Sequence, residues 1–186
     1  MVTYLPEEDR YAPIDTIDTT KVRTANISGT ELRQRLRDGT EIPEWFSYPE
    51  VVKILRDTNP PRSRQGFAVV IDTSSGGEES GDVLSSALQS ALNEHSGARR
   101  VTKLPSKFND NFLVHELVRA GSAVILTTSE NFDSIISSVG ESNTYIIKST
   151  GSDTGYQYSI SDGPTEDAGT TCETAVEAFK ANGFIS

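Results

Sequence analysis

Cysteine and histidine are scarce in this chain of 186 residues. Cys172 is the single cysteine, and His95 and His115 are the only histidines. One cysteine cannot form an internal disulfide. The two histidines lie on predicted helices without a second histidine or a cysteine nearby in the sequence, which is not the spacing of a metal site. We therefore predict no disulfide framework and no metal site, and we interpret Cys172 as a buried structural residue in preference to a reactive thiol.

Long apolar runs are absent as well. The longest uninterrupted run, residues 67–71, has five residues, whereas a membrane-spanning helix needs about 20. The first ten residues contain neither the basic region nor the apolar region of a secretory signal. The sequence therefore predicts no membrane segment and favours a cytoplasmic location.

Positive charge is in deficit, with 17 Lys and Arg against 27 Asp and Glu and a formal net charge of -10. Residues 1–64 are nearly balanced, with 11 acids and 10 bases, while residues 65–186 carry 16 acids and 7 bases. An acidic surface repels nucleic-acid backbones and anionic lipid headgroups. We therefore expect neither nucleic acid nor a membrane as a partner, and we expect the two parts of the chain to differ in kind.

Helix signals and a proline-rich break organise the first part. Residues 28–31 match the Ser-x-x-Glu capping box, and Gly39 is a typical helix stop. Residues 47–50 repeat the Ser-x-x-Glu pattern and predict a second helix. Trp45, Phe46 and Tyr48, between the two helices, are interpreted as a packing cluster in preference to a stacking platform. Consecutive prolines within residues 57–64 exclude a helix and indicate a linker.

Strand and helix patterns alternate after the linker. Residues 67–71 predict a buried strand, residues 72–81 a Gly/Ser loop, and residues 84–92 an amphipathic helix. Further strands are predicted at residues 101–104, 123–128 and 145–148, further helices at 112–120, 132–139 and 173–182, and surface loops at 149–155 and 161–171. Such alternation predicts an α/β domain with a parallel sheet between helices.

One spacing in the chain suggests phosphate chemistry. Gly76 and Gly81 keep the G-x-x-x-x-G interval of a P-loop, between a predicted strand and a predicted helix. A working P-loop continues with Lys and Ser or Thr, but this chain has Asp82 and Val83, and two glutamates lie between the glycines. The alternative is an ordinary loop whose acids favour the helix dipole. We favour a degenerate P-loop that binds no nucleoside triphosphate well.

Several segments resemble a known family. Residues 1–6 (MVTYLP), 26–33 (NISGTELR) and 41–56 (EIPEWFSYPEVVKILR) closely resemble fungal ATP sulfurylase, that is, sulfate adenylyltransferase, near the end of the family's catalytic domain. Residues 119–125 (RAGSAVI) resemble the adenylylsulfate-kinase-like domain that follows in fungal members. The resemblance implies two domains: residues 1–64, the end of a nucleotidyltransferase catalytic domain with its linker at 57–64, and residues 65–186, a P-loop-like kinase domain without activity.

The resemblance also implies an activity for the full-length enzyme. Family members convert ATP and sulfate to adenylylsulfate and pyrophosphate in sulfate assimilation, with MgATP as substrate. The family motifs Q-x-R-N-P, H-x-G-H and G-R-D-H-A-G do not occur in this sequence, so no residue is assigned as catalytic and no cofactor is expected to bind this chain. Only one nucleotide contact falls within it, at Val2 and through the backbone. Because Met1 matches an internal methionine of the family, we interpret the chain as a fragment that is inactive alone.

For the kinase-like domain, the resemblance implies a role in homo-oligomer assembly. Some fungal members also bind 3′-phosphoadenylylsulfate there as an inhibitor, but the acidic loop predicts no such binding here. Two alternatives remain open at the level of sequence. The chain could act independently as a non-catalytic assembly or regulatory module with a degenerate nucleotide-binding fold, or it could be a diverged active kinase.

Overall fold

The computed structural model describes residues 2–108, 110–130, 132–152, 155–161 and 163–186. The chain forms two compact units, one ending at Arg62 and one spanning Ser63–Ser186. Single turns of 3-10 helix lie at Ile14–Thr16, Arg62–Arg64, Ser106–Phe108 and Glu141–Asn143.

The first unit combines a β-hairpin with two helices. Its elements are β1 (Val2–Leu5), β2 (Arg10–Pro13), α1 (Gly29–Asp38) and α2 (Pro49–Thr58). Strands β1 and β2 pair in antiparallel fashion, and Val2 lies opposite Pro13. Trp45 stacks on Tyr4 with ring centroids 4.7 Å apart, and the Phe46 ring meets Trp45 edge-on. Trp45 and Phe46 thus pack as predicted, but the prediction is wrong for Tyr48, which is 76% exposed.

One of the two predicted helix caps is correct. The Ser28 hydroxyl accepts a hydrogen bond from the Glu31 amide at 3.1 Å, and Gly39 ends α1 in the left-handed conformation. The second cap is wrong, because α2 begins after Tyr48 and the preceding serine makes no cap. Pro49 at the first helical position starts α2 instead, since its ring fixes a helical φ and no amide is needed there.

The described residues of the second unit form a five-stranded sheet and four helices. The strands are β3 (Phe67–Ser75), β4 (Val101–Leu104), β5 (Ala123–Thr128), β6 (Thr144–Ser152) and β7 (Gly155–Ile160), and the helices are α3 (Gly77–His95), α4 (Asn111–Arg119), α5 (Asp133–Val139) and α6 (Ala168–Ala181). The sheet order is β4-β5-β3-β6-β7, and every neighbouring pair is parallel except β6 and β7. The predicted α/β class with a largely parallel sheet is confirmed.

The two predicted surface loops are partly wrong. Strand β6 continues through Ser152, and β7 pairs with it, so most of residues 149–160 belong to the sheet. Helix α6 begins at Ala168, because the Asp167 carboxylate caps it by accepting from the Thr170 amide at 2.9 Å. Ser, Thr and Gly dominate these segments, and such residues give little apolar pattern even where cross-strand pairing holds them in a sheet.

The core has two layers, one on each face of the sheet. On one face, Phe67, Val69 and Ile71 of β3 belong to a buried cluster with residues of α3 and α6, including Leu84, Leu88, Leu92, Ala175 and Phe179. On the other face, Ala68 and Val70 pack with residues of α4 and α5, including Val114, Val118 and Ile135. Successive side chains of a strand point to opposite faces. The continuous apolar run of β3 therefore contributes side chains to both layers of the core.

Arg99 joins three distant segments of the second unit. Its guanidinium donates to the backbone carbonyls of Ser63 (2.6 Å), Gly121 (3.0 Å), Phe184 (2.7 Å) and Gln65. It also lies over the ring of Phe67, 5.5 Å from the centroid. Burial lowers the pKa of the guanidinium. One side chain thus ties the beginning of the unit, the turn before β5 and the end of the chain together.

We predict that Arg99→Met lowers the free energy of unfolding by about 3 kcal/mol, because several charge-assisted hydrogen bonds to backbone carbonyls are lost. Arg99→Lys should recover only part of this loss, since an ammonium lacks the planar fork that reaches several carbonyls at once. Arg100→Met is the matched control, because Arg100 is exposed; its effect should stay within about 0.5 kcal/mol. Urea titration followed by circular dichroism measures all three, and equal losses at positions 99 and 100 would contradict this role.

Candidate functional site

The junction between β3 and α3 holds the residues that the sequence singled out. Strand β3 extends to Ser75, Gly76 precedes the helix with φ -101°, and α3 begins at Gly77 with φ 77°. The prediction of a loop over residues 72–81 is therefore wrong. The glutamates that follow Gly77 lie in the first turn of α3, where negative charge is stabilised by the helix dipole. The segment between the two glycines is a helix turn.

Gly76 is held against two buried serines. The Ser80 and Ser149 hydroxyl oxygens are 2.8 Å apart, and Ser80 Oγ also lies 2.7 Å from the Gly77 carbonyl oxygen. A Cβ on Gly76 would come within 2.4 Å of Ser149 Oγ and 2.7 Å of Ser80 Oγ. Hydroxyl groups of this chain therefore fill the space beside the glycine.

Two tyrosines of β7 hold the first turn of α3 in place. The Tyr158 hydroxyl donates to the Ser80 carbonyl oxygen at 2.8 Å, and Tyr158 is fully buried. Burial raises the pKa of Tyr158 to about 12. The Tyr156 hydroxyl hydrogen-bonds the Glu79 carboxylate, which raises the pKa of Tyr156. These contacts fasten the helix start to the neighbouring hairpin.

The remaining residues of the pattern lie within α3. Gly81 is buried, and a Cβ there would come within 2.6 Å of the Thr73 methyl and 2.9 Å of the Thr127 methyl. Asp82 is exposed, with its carboxylate 3.4 Å from the Lys103 ammonium, and Val83 is 45% exposed. The pattern thus places a carboxylate and an isopropyl group where a working P-loop has an ammonium and a hydroxyl.

The other residues noted in the sequence lie elsewhere. Cys172 is buried in α6, and burial raises the pKa of its thiol to about 11, which keeps it protonated at neutral pH and agrees with the structural interpretation. Val2 is 55% exposed on β1. Within the described ranges, no three His, Cys, Asp or Glu side chains are grouped as metal ligands, and none of the helices described is both long and apolar enough to span a membrane.

The serine and tyrosine partners were not identified from the sequence. Ser149 fell in a segment predicted to be a loop, and it becomes a neighbour of Gly76 only because β6 pairs with β3. A weak signal existed for β7, because Tyr156 and Tyr158 are two residues apart and could share one face of a strand.

We predict that Gly76→Ala destabilises the second unit by about 2 kcal/mol, because overpacking in a closed space forces neighbouring groups to move. Gly151→Ala is the matched control on the adjoining strand, since its Cβ would meet no atom closer than 3.8 Å. We expect the control to change stability by less than about 0.5 kcal/mol. Denaturant titration of both variants decides the matter, and an unaffected Gly76→Ala would show that the space beside the helix start is open.

Comparison with solved structures defines the class of fold. The chain is similar to the structure described as "Hexameric APS kinase from Thiobacillus denitrificans", with a TM-score of 0.74 and 20% identity, covering 100% of this chain and 43% of that chain. The second unit therefore has an α/β architecture of the P-loop kinase type. At this identity the likeness concerns the fold.

Comparison of sequences gives the particular relatives. Residues 1–58 match the ATP-sulfurylase family. The chain is 66% identical over 151 residues to a sulfate adenylyltransferase of Debaryomyces hansenii, covering 81% of this chain and 28% of the relative. A Candida albicans relative is 64% identical over 148 residues, covering 79% of this chain and 27% of the relative. A Saccharomyces cerevisiae relative is 50% identical over 156 residues, covering 82% of this chain and 30% of the relative. The predicted resemblance is confirmed: the homologues are fungal sulfate adenylyltransferases, and the chain spans less than a third of their length.

Proposed function

We propose that the chain functions as part of a sulfate adenylyltransferase, which joins sulfate to the adenylyl group of ATP and releases pyrophosphate. The enzyme acts in the cytoplasm, and its reaction is a step of sulfate assimilation. The observation that carries the proposal is the 66% identity over 151 residues. The second unit has 124 residues. A match of 151 residues therefore includes parts of both units. MgATP is the substrate of the larger enzyme, and Val2 contacts the nucleotide through its backbone.

Catalysis then depends on residues outside this chain. Nucleotidyl transfer needs preorganised positive groups around the α-phosphate, and such groups usually supply the largest share of the rate enhancement. This sequence contains no Arg-Asn-Pro motif and no closely spaced pair of histidines. The first unit contributes an edge of the nucleotide site, and the chain alone has no activity.

We predict that a chimera restores the activity. The chimera begins with the part of the Debaryomyces hansenii enzyme that precedes its matched region and continues with the whole of this chain. It should release pyrophosphate from ATP only when sulfate is present. Because the contact at Val2 is made by the backbone, Val2→Ala in the chimera should leave the KM for ATP unchanged. Release of pyrophosphate is measured with a coupled assay, and the chain alone and the preceding residues alone are the controls.

Activity of the unmodified chain, or a soluble chimera without activity, would contradict this assignment.

Light scattering of the same preparations tests the accompanying proposal that the second unit assembles copies of the protein. We expect the mass of an oligomer for the chimera and for the chain. A monomer in both would refute the assembly role, and assembly without activity in the chimera would favour an independent assembly module.

We further propose that the second unit has no adenylylsulfate kinase activity. Three observations support this proposal. Helix α3 begins at Gly77, the Ser149 hydroxyl lies against Gly76, and Asp82 stands where a phosphate-binding lysine would be required. Two like charges about 4 Å apart repel by roughly 4 kcal/mol at an effective dielectric constant near 20. A phosphate approaching this junction therefore meets both a filled space and repulsive carboxylates.

We predict that the chain transfers no phosphoryl group from ATP to adenylylsulfate and that the variant Asp82→Lys with Val83→Ser is equally inactive. The substitutions restore the side chains of a P-loop but not its open loop, since the helix start remains fastened by the β7 tyrosines. Formation of 3′-phosphoadenylylsulfate is followed with radiolabelled ATP. Transfer by the unmodified chain would establish a diverged kinase, and transfer by the variant would show that charge alone disables the site.

A further inference from the structure

A cavity of about 640 Å³ lies at the edge of the sheet opposite the β3–α3 junction. Its lining residues lie within 63–64, 96–100 and 120–122, which are the segments directly before β3, β4 and β5. The amino-terminal ends of three parallel strands thus surround it. Ligands of open α/β sheets ordinarily bind at the other edge, outside the carboxyl ends of the strands.

The charge of the cavity is opposite to that of the unit around it. Arg64, Arg99 and Arg100 line it, and no Asp or Glu of the described ranges does. The unit as a whole carries 16 acidic and 8 basic residues. Among the described residues, none of the ion pairs includes any of these three arginines. Three positive charges therefore gather in one concavity, and no carboxylate in the described part of the chain forms an ion pair with them.

The arginines differ in what they can offer a ligand. The terminal nitrogens of Arg99 are committed to four backbone carbonyls, so this residue supplies a fixed positive charge at the wall. Arg64 and Arg100 are exposed, and their guanidinium groups present planar donor forks suited to oxyanions. Ser96 also lines the cavity, and its buried hydroxyl has no hydrogen-bond partner in the described part of the chain. Such a hydroxyl costs free energy until it finds an acceptor.

We propose that this cavity is a binding site for a tetrahedral oxyanion, a sulfate or phosphate group either free or carried by a nucleotide. Arg64 and Arg100 hydrogen-bond the oxyanion, Arg99 neutralises its charge from the wall, and the Ser96 hydroxyl donates to it. The volume falls in the range of small-molecule sites. The site uses none of the residues of the β3–α3 junction, and it does not depend on the activity of the larger enzyme.

The test is calorimetric titration of the whole chain with sodium sulfate and with sodium phosphate at constant ionic strength. The variant Arg64→Gln with Arg100→Gln should bind each anion at least about tenfold more weakly, because charge-assisted hydrogen bonds are lost. The control Arg23→Gln with Arg33→Gln removes the same charge from two exposed arginines of the first unit, and its affinity should equal that of the wild type.

A second variant separates binding from folding. Ser96→Ala should weaken anion binding about threefold or more, because a donor is lost. Its thermal midpoint without anion should equal or exceed that of the wild type, since the deleted hydroxyl has no partner to lose. A lowered midpoint with unchanged affinity would assign Ser96 a purely structural role and would overturn its part in the site.

Nucleotides identify the source of the oxyanion. AMP binding more tightly than phosphate would indicate a phosphate carried by a nucleotide, and equal affinities would indicate the free ion. Either result supports the site if the double arginine variant binds the ligand more weakly than the wild type. Adenosine binding as tightly as AMP would overturn the proposal, because recognition would then not involve the oxyanion. Absence of saturable sulfate and phosphate binding, or equal weakening in the control variant, would overturn it as well.

Discussion

The central strand β3 is the element on which the second unit depends. It lies between β5 and β6, and its residues 67–71 are completely buried. Because alternate side chains point to opposite faces, one short apolar run anchors α3 and α6 on one side and α4 and α5 on the other. A strand buried on both faces must be paired along both edges, since unpaired backbone groups would be costly there. Loss of β3 would therefore remove both layers of the core.

The end of the same strand decides what the glycine pattern becomes. In a working P-loop, backbone amides curl around a phosphate between strand and helix. In this chain the strand passes into α3 after one intervening residue, and the hydroxyls of Ser80 and Ser149 occupy the space beside Gly76. The Tyr158 hydroxyl also donates to the Ser80 carbonyl oxygen. The proposed loss of phosphate binding rests on this change from loop to helix and on the acidic residues of the same turn.

Charge is distributed between two opposite edges of one sheet. The carboxyl edge of β3 carries acidic residues at the first turns of α3, while the amino-terminal edges of β3, β4 and β5 carry Arg64, Arg99 and Arg100 around a cavity. The net charge of the unit hides this separation, because a sum over the sequence contains no positions. An acidic protein can therefore still present a local surface that attracts oxyanions.

The sequence was enough to predict the α/β class, the Ser28 cap and the strands at 101–104 and 123–128. Periodicity and capping are local properties of a few neighbouring residues. The family resemblance could be recognised because it rests on short runs of sequence such as residues 41–56. Tertiary structure alone decided that Gly77 starts a helix, that Ser149 lies beside Gly76, and that three arginines surround one cavity. Each of these depends on pairing between residues tens of positions apart, which strand register and packing determine and local pattern does not contain.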